Sequence, residues 1–186
     1  MEKSTSSISI AIVAFVVAGI LFGLFFISIL KNRSSVPDQN ITNFDECAAA
    51  GNLVMESWPR QCRAGDETFV EDIGNEFEKL DLIRINNPRP GQAISSPLLI
   101  EGEARGYWFF EGDFSVRLLD ENGKLIGESV LSAQSQWMTE EFVPFEGKLI
   151  FTTPFQRGLL ILEKNNPSGL PENDDRLSVP VHLLEN

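Results

Sequence analysis

Two cysteines, one histidine and a surplus of carboxylates are the residues of this chain with chemistry to offer. Cys47 and Cys62 are the only cysteines among 186 residues. A zinc site takes four Cys or His ligands, and the sole histidine, His182, lies far away in sequence. The C-x-x-C redox spacing is absent as well. A Cys47–Cys62 disulfide is the reading that remains, against two unpaired buried thiols. Nucleophilic catalysis needs a base beside its nucleophile. His182, inside Val181-His182-Leu183, reads as an ordinary strand residue. Glycosidases work with two carboxylates, and Glu101, Glu103, Glu111, Asp113, Glu140 and Glu141 supply neighbours. An acidic solvated face produces the same neighbours by chance. Asp120-Glu-Asn-Gly and Asn173-Asp174-Asp175 hold too few oxygen ligands for calcium; they read as a turn and a solvated loop. No catalytic residue, metal or cofactor is expected, and the chain reads as non-enzymatic.

Charge and hydropathy divide the sequence. The formal net charge is −12, and only Glu2, Lys3, Lys31 and Arg33 of the charged residues precede Ser34. The chain from Ser34 onward carries −14, which argues against binding nucleic acid or anionic lipid surfaces. Ile8 to Leu30 is uncharged and apolar, and its 23 residues reach about 35 Å as a helix, enough to cross a bilayer. The run is longer than a signal-peptide core and lacks a small-x-small cleavage site. An uncleaved single-pass transmembrane helix is therefore expected over 8–30, after a short tail at 1–7. Lys31 and Arg33 favour a cytoplasmic C-terminal side. The acidic bulk and the cysteine pair favour the opposite, and the C-terminal part is placed outside the cytoplasm. Gly19 and Gly23 form a G-x-x-x-G that would let two such helices pack as a homodimer.

The remainder of the chain divides into three parts. Residues 31–43 are a polar linker. Residues 44–74 form a small two-cysteine module: Asn43 caps a short helix with Asp45 and Glu46 in its first turn, and Gly51 ends it. A loop of about 16 residues closed by the disulfide would stabilise this module by about 3 kcal/mol, and so small a core needs such a link. Residues 80–186 read as an antiparallel β-sandwich. Leu82–Ile85 is a first strand. From Leu98 to Leu118 the even positions are apolar or small, including Trp108, Phe110, Phe114 and Val116, while the odd positions are largely charged. The even set is the expected core. Tyr107 and Phe109 fall on the opposite parity, either as an exposed partner-binding surface or covering one another or the module. Asn122-Gly123 marks a hairpin. Further strands are expected at Ser129–Ala133, Glu141–Phe145, Leu149–Thr152, Leu159–Glu163 and Leu177–Leu184, with no substantial soluble helix.

The segments Ile85-x-x-Pro88-x-Pro90-Gly91-x-x-Ile94-x-Ser96-Pro97-Leu98 and Gly102-x-Ala104-x-Gly106-x-Trp108-Phe109-Phe110-Glu111-x-x-Phe114-x-Val116 carry a more specific signal. They resemble the bacterial immunoglobulin-like domain found beside spore-germination GerMN domains. The resemblance spans roughly 80–186 and is concentrated before Asp120. It implies an immunoglobulin-like sandwich, a cell-envelope setting and no enzymatic activity. The GerMN domain is not part of the sequence, so a role in germination is not carried over. Two function classes remain. In one, a membrane-anchored module binds a protein or cell-surface polymer outside the cytoplasm. In the other, it is an architectural spacer in an envelope complex.

Overall fold

The computed structural model describes residues 41–152 and 156–184. The tail, the apolar segment with Gly19 and Gly23, and the linker up to residue 40 lie outside these residues. Among those described, no helix is long and apolar enough to cross a membrane. Thr42–Asn186 is one compact unit, mainly β, which holds both the cysteine module and the sandwich.

The module opens with helix α1 (Phe44–Ala49). Asn43 Oδ1 accepts from the Glu46 amide at 2.9 Å, and Glu46 Oε2 accepts from the Thr42 amide at 2.8 Å. The first bond satisfies an amide that the opening helical turn leaves free, and the second ties the residue before the cap to the helix. Gly51, at φ +77°, takes the left-handed position after the helix. Strands β1 (Leu53–Met55), β2 (Gln61–Ala64) and β3 (Glu67–Val70) come next as a three-stranded antiparallel sheet with β2 in the centre. Cys47 of α1 and Cys62 of β2 are fully buried and disulfide-bonded, with Cα atoms 6.0 Å apart. This link pins the helix to the sheet.

A connector runs from Glu71 through the single-turn helix α2 (Glu76–Lys79) into the sandwich. Eight strands then form one hydrogen-bonded series: β4 (Ile83–Asn87), β6 (Leu98–Arg105), β9 (Phe142–Leu149), β8 (Leu125–Ala133), β7 (Asp113–Asp120), β10 (Arg157–Glu163), β11 (Arg176–Leu183) and β5 (Ala93–Ile94), in that spatial order. The series folds over its own core, so Phe114 of β7 meets Phe145 of β9 edge-to-face at 5.0 Å, two strands away. The fold line runs between β8 and β9. Their ladder consists of Ser132↔Glu146 and Ala133↔Phe145, yet the two strands stay close beyond it. A Cβ on Gly147 would stand 2.6 Å from the Val130 carbonyl oxygen, and the Ser129 hydroxyl donates to the Lys148 carbonyl at 2.7 Å.

Two expectations are corrected by this topology. The sandwich is not wholly antiparallel, because β5 pairs parallel to β11. The chain leaves β4 on one layer and crosses at Pro88–Gly91 to the far end of the series, arriving in the same direction as β11. The strand expected at Glu141–Phe145 runs on to Leu149 as β9, and the one expected at Leu149–Thr152 does not form, since residues 150–152 are not strand. The missing side chain of Gly147 serves the close passage of β8. The Asn122-Gly123 hairpin joins β7 to β8, with the Gly123 amide donating to the Asp120 carbonyl at 2.9 Å.

The core alternates as period two requires. Ile83 and Ile85, Leu98 and Ile100, and Val143 and Phe145 face Val116, Leu118, Leu160 and Leu162, and all of them are buried. The outward edge of β11 is covered by the connector. Asn75 Oδ1 accepts from the Ser178 amide at 2.8 Å, and its Nδ2 donates to the Arg176 carbonyl at 3.0 Å. One side-chain amide thus stands in for a neighbouring strand and removes an exposed pairing edge.

Candidate functional site

Three connections meet at one end of the sandwich: 106–112 between β6 and β7, 134–141 between β8 and β9, and 164–175 between β10 and β11. The first begins with a 3₁₀ turn, Gly106–Trp108. Glycine is required there, because a Cβ would stand 1.9 Å from the Thr139 carbonyl oxygen and 2.2 Å from that of Trp137. The Gly106 amide donates to the Glu141 carbonyl at 3.1 Å, tying the first connection to the second. The Asn165 amide donates to the Trp108 carbonyl at 3.0 Å, tying it to the third. The loops are therefore held by backbone bonds above a packed floor.

That floor is aromatic. Trp108 is fully buried and meets Phe114 edge-to-face at 6.5 Å. Phe109 is only 3% exposed and packs on the same ring at 5.2 Å. Tyr107 stands 50% exposed, Phe110 40% and Met138 70%. Two sequence assignments are thus corrected: Phe109, read either as a partner surface or as a cover for Tyr107 or the module, is in the sandwich core, and Phe110, expected in the core, is at the surface. The 3₁₀ turn advances about 120° per residue instead of the 180° of a strand. It brings Trp108 and Phe109 inward in succession and sends Phe110 out. Parity resumes with Phe114 and Val116, both buried.

Phe110 then opens a two-residue hairpin. Phe110 and Asp113 exchange backbone bonds of 3.0 and 3.2 Å around Glu111 and Gly112. Both central residues have positive φ, +55° and +88°, the pattern of a type I′ turn. Asparagine or glycine suits the first position; glutamate there costs about 1 kcal/mol or more. Among the described non-glycine residues, Glu111 alone has positive φ. The strain sits at the tip of this connection, next to exposed Phe110.

His182, Asp120, Asp174 and Asp175 have structural partners. His182 Nε2 lies 3.7 Å from Asp45 Oδ1, and Arg157 Nη2 lies 3.1 Å from Asp45 Oδ2. Both contacts join the module to β10 and β11, alongside an open groove of about 600 Å³ whose lining includes Phe44, Val70, Leu119, Leu159 and Pro180. His182 thus faces a carboxylate and a guanidinium rather than a nucleophile. Asp120 Oδ1 accepts from the amides of Asn122 and Lys124 at 2.8 and 2.9 Å, as a turn cap. Asp174 accepts from Asn166 at 2.6 Å, and Asp175 pairs with Lys79 at 2.6 Å. Among the described residues, no three His, Cys, Asp or Glu side chains converge as metal ligands.

Two buried glutamates lock the connector. Glu71 receives Arg60 in a fork, at 2.8 Å from Nε and 2.5 Å from Nη2. Hydrogen bonding to Glu71 raises the Arg60 pKa above its usual value. Glu76 receives Arg89 at 2.6 Å, and the Arg89 guanidinium stacks over Trp58 at 4.8 Å. The pKa of Glu46 is held below the ordinary carboxylate value, chiefly by the Thr42 amide it accepts from. Sequence reasoning did not find these pairs, since nothing local marks Arg60 or Glu76 as partners.

Residues 82–169 match the family model described as the immunoglobulin-like domain of bacterial spore germination. The match covers β4 to β10 and all three loops up to Gly169, while β11 and the cysteine module lie beyond it. No curated protein matches the chain. Residues 82–169 are accordingly similar to the immunoglobulin-like domain of bacterial spore germination, and the two-cysteine module lies outside the match.

Proposed function

We propose that this chain is a non-enzymatic, membrane-anchored protein of the bacterial cell envelope. Its immunoglobulin-like domain faces outside the cytoplasm and binds a protein or cell-surface polymer through the loop end. The observation that carries this reading is the exposure of Tyr107, Phe110 and Met138 on loops that Gly106 and Asn165 tie together. A rigid sandwich presenting fixed loops is a common platform for recognition. Large apolar side chains held out to water on such loops are the usual anchors of an interface. A membrane anchor over residues 8–30 would hold that platform at the bilayer.

The test is photo-crosslinking in living cells, with the crosslinker placed at Tyr107, at Phe110 or, as control, at Leu53 of the module. Discrete adducts from the first two positions and none from the third would support the reading. Adducts from none of them, with the variants folded and inserted, would overturn it in favour of a spacer. The G-x-x-x-G of Gly19 and Gly23 favours that second reading, because a helix dimer would suffice for an architectural role. A spacer should lose function on Gly19→Leu/Gly23→Leu and keep it on Tyr107→Ala/Phe110→Ala.

A further inference from the structure

The charge around the loop end indicates the kind of partner. Glu111, Glu140, Glu141 and Glu172 are exposed on the three connections. The basic residues nearby are turned onto the protein's own backbone. Arg105 donates from Nε to the Asp81 carbonyl at 2.9 Å and from Nη1 to the Glu140 carbonyl at 3.3 Å. Its contact with Glu141 is long, 3.9 Å, and that carboxylate remains 85% exposed. Lys164 Nζ donates to the Asn173 carbonyl at 3.3 Å. The carboxylates therefore present their charge to solvent around Tyr107, Phe110 and Met138, with Lys164 held on the Asn173 carbonyl and Arg105 in only a long contact with Glu141.

We infer that the loop end binds a protein partner that lays an apolar side chain among Tyr107, Phe110 and Met138 and sets lysine or arginine against the surrounding carboxylates. The inference rests on the binding reading above and narrows it. An acidic rim repels anionic polymers and anionic headgroups, and it steers a basic surface toward the apolar centre. Met138, the most exposed of the three, supplies a flexible thioether that moulds to an apolar side chain.

The chain has three methionines, Met1, Met55 and Met138, so methyl labelling gives a direct readout in the full-length protein. Met55 lies in β1 of the module and serves as internal control. Two synthetic peptides of one apolar pattern are titrated, one carrying lysine at the polar positions and the other glutamate. The lysine peptide should shift the Met138 methyl and leave Met55 in place. Its affinity should fall by about tenfold between low and physiological salt. Glu140→Lys/Glu141→Lys should abolish the shift, while Glu128→Lys on β8 leaves it unchanged. Equal response to the glutamate peptide would overturn the inferred charge preference and leave the binding reading standing. A Met138 shift with an amino-sugar oligomer and with neither peptide would overturn the protein partner in favour of a polymer. Silence toward all three probes, together with discrete cellular crosslinks from Tyr107, would show a binding surface of other chemistry and also overturn the inference. Silence without crosslinks would defeat both readings.

Discussion

The cysteine module and the sandwich share one compact unit and are stabilised by opposite means. Among the described residues, the sandwich core gathers 22 buried apolar side chains, while the module and connector bury Phe44, Cys47, Cys62 and Ile73. So few groups cannot offset the ordering of some thirty residues. A disulfide and directional polar contacts make up the difference: Glu71 with Arg60, Glu76 with Arg89, Asp45 with Arg157, and Asn75 along β11. The contrast teaches where each half is vulnerable. The sandwich should respond to lost volume, and the module to reductant, acid and single polar substitutions.

The largest expected effect lies in the sandwich. Trp108→Ala should cost about 3–5 kcal/mol, measured by chemical denaturation, because it empties a fully buried site. Trp108→Phe should cost about 1.5 kcal/mol or less, since the indole N–H has no hydrogen-bond partner among the described residues and only packing is altered. A Phe variant as damaging as the Ala variant would show that the N–H is in use.

Next comes the module. Cys47→Ala/Cys62→Ala should remove about 3 kcal/mol from the module alone. Hydrogen exchange should accelerate over α1 to β3 and stay unchanged in β6 and β7. Uniform acceleration would mean that the two halves unfold as one and would break the comparison. Asn75→Ala should cost about 1–2 kcal/mol through its two lost bonds to β11, with faster exchange at Ser178.

A smaller effect of opposite sign is expected at the loop end. Glu111→Asn converts the turn to the favoured Asn-Gly pair and should stabilise the protein by about 0.5–1 kcal/mol. It also removes one carboxylate from the rim, so lysine-peptide affinity should drop as stability rises. The smallest effect is acid sensitivity at α1. The folded pKa of Glu46 is depressed. Its contribution is therefore present above the unfolded value of about 4.5 and is lost as pH falls through the lower folded value. Amide exchange at Glu46 and Cys47 should rise in that acid window before β10 responds.

Much of this architecture was legible because it is local. Period two marked the core positions from Leu98 to Ala104 and from Phe114 to Leu118. Asn43 and Gly51 marked the ends of α1, and the isolated cysteine pair marked the disulfide. The placement of Phe109 and Phe110 was not legible, because one 3₁₀ turn shifts the phase without changing residue types. Nor was the edge cover of β11, which brings Asn75 to Ser178 across about a hundred residues. The loop end was half visible. Tyr107 stands where its parity put it, whereas Phe110 and Met138 enter the surface only once the turn and the Gly106 contact are known.

The proposed envelope role depends most on the compartment in which the module resides, because a lasting Cys47–Cys62 disulfide calls for an oxidising one. Intact cells should be treated with a membrane-impermeant thiol reagent, with and without prior reduction, beside a denatured and reduced control that reports both cysteines. Labelling of Cys47 and Cys62 that appears only after reduction is the predicted result. Cysteines that stay silent until the cells are lysed, in a protein whose thiols then react without any reductant, would contradict it.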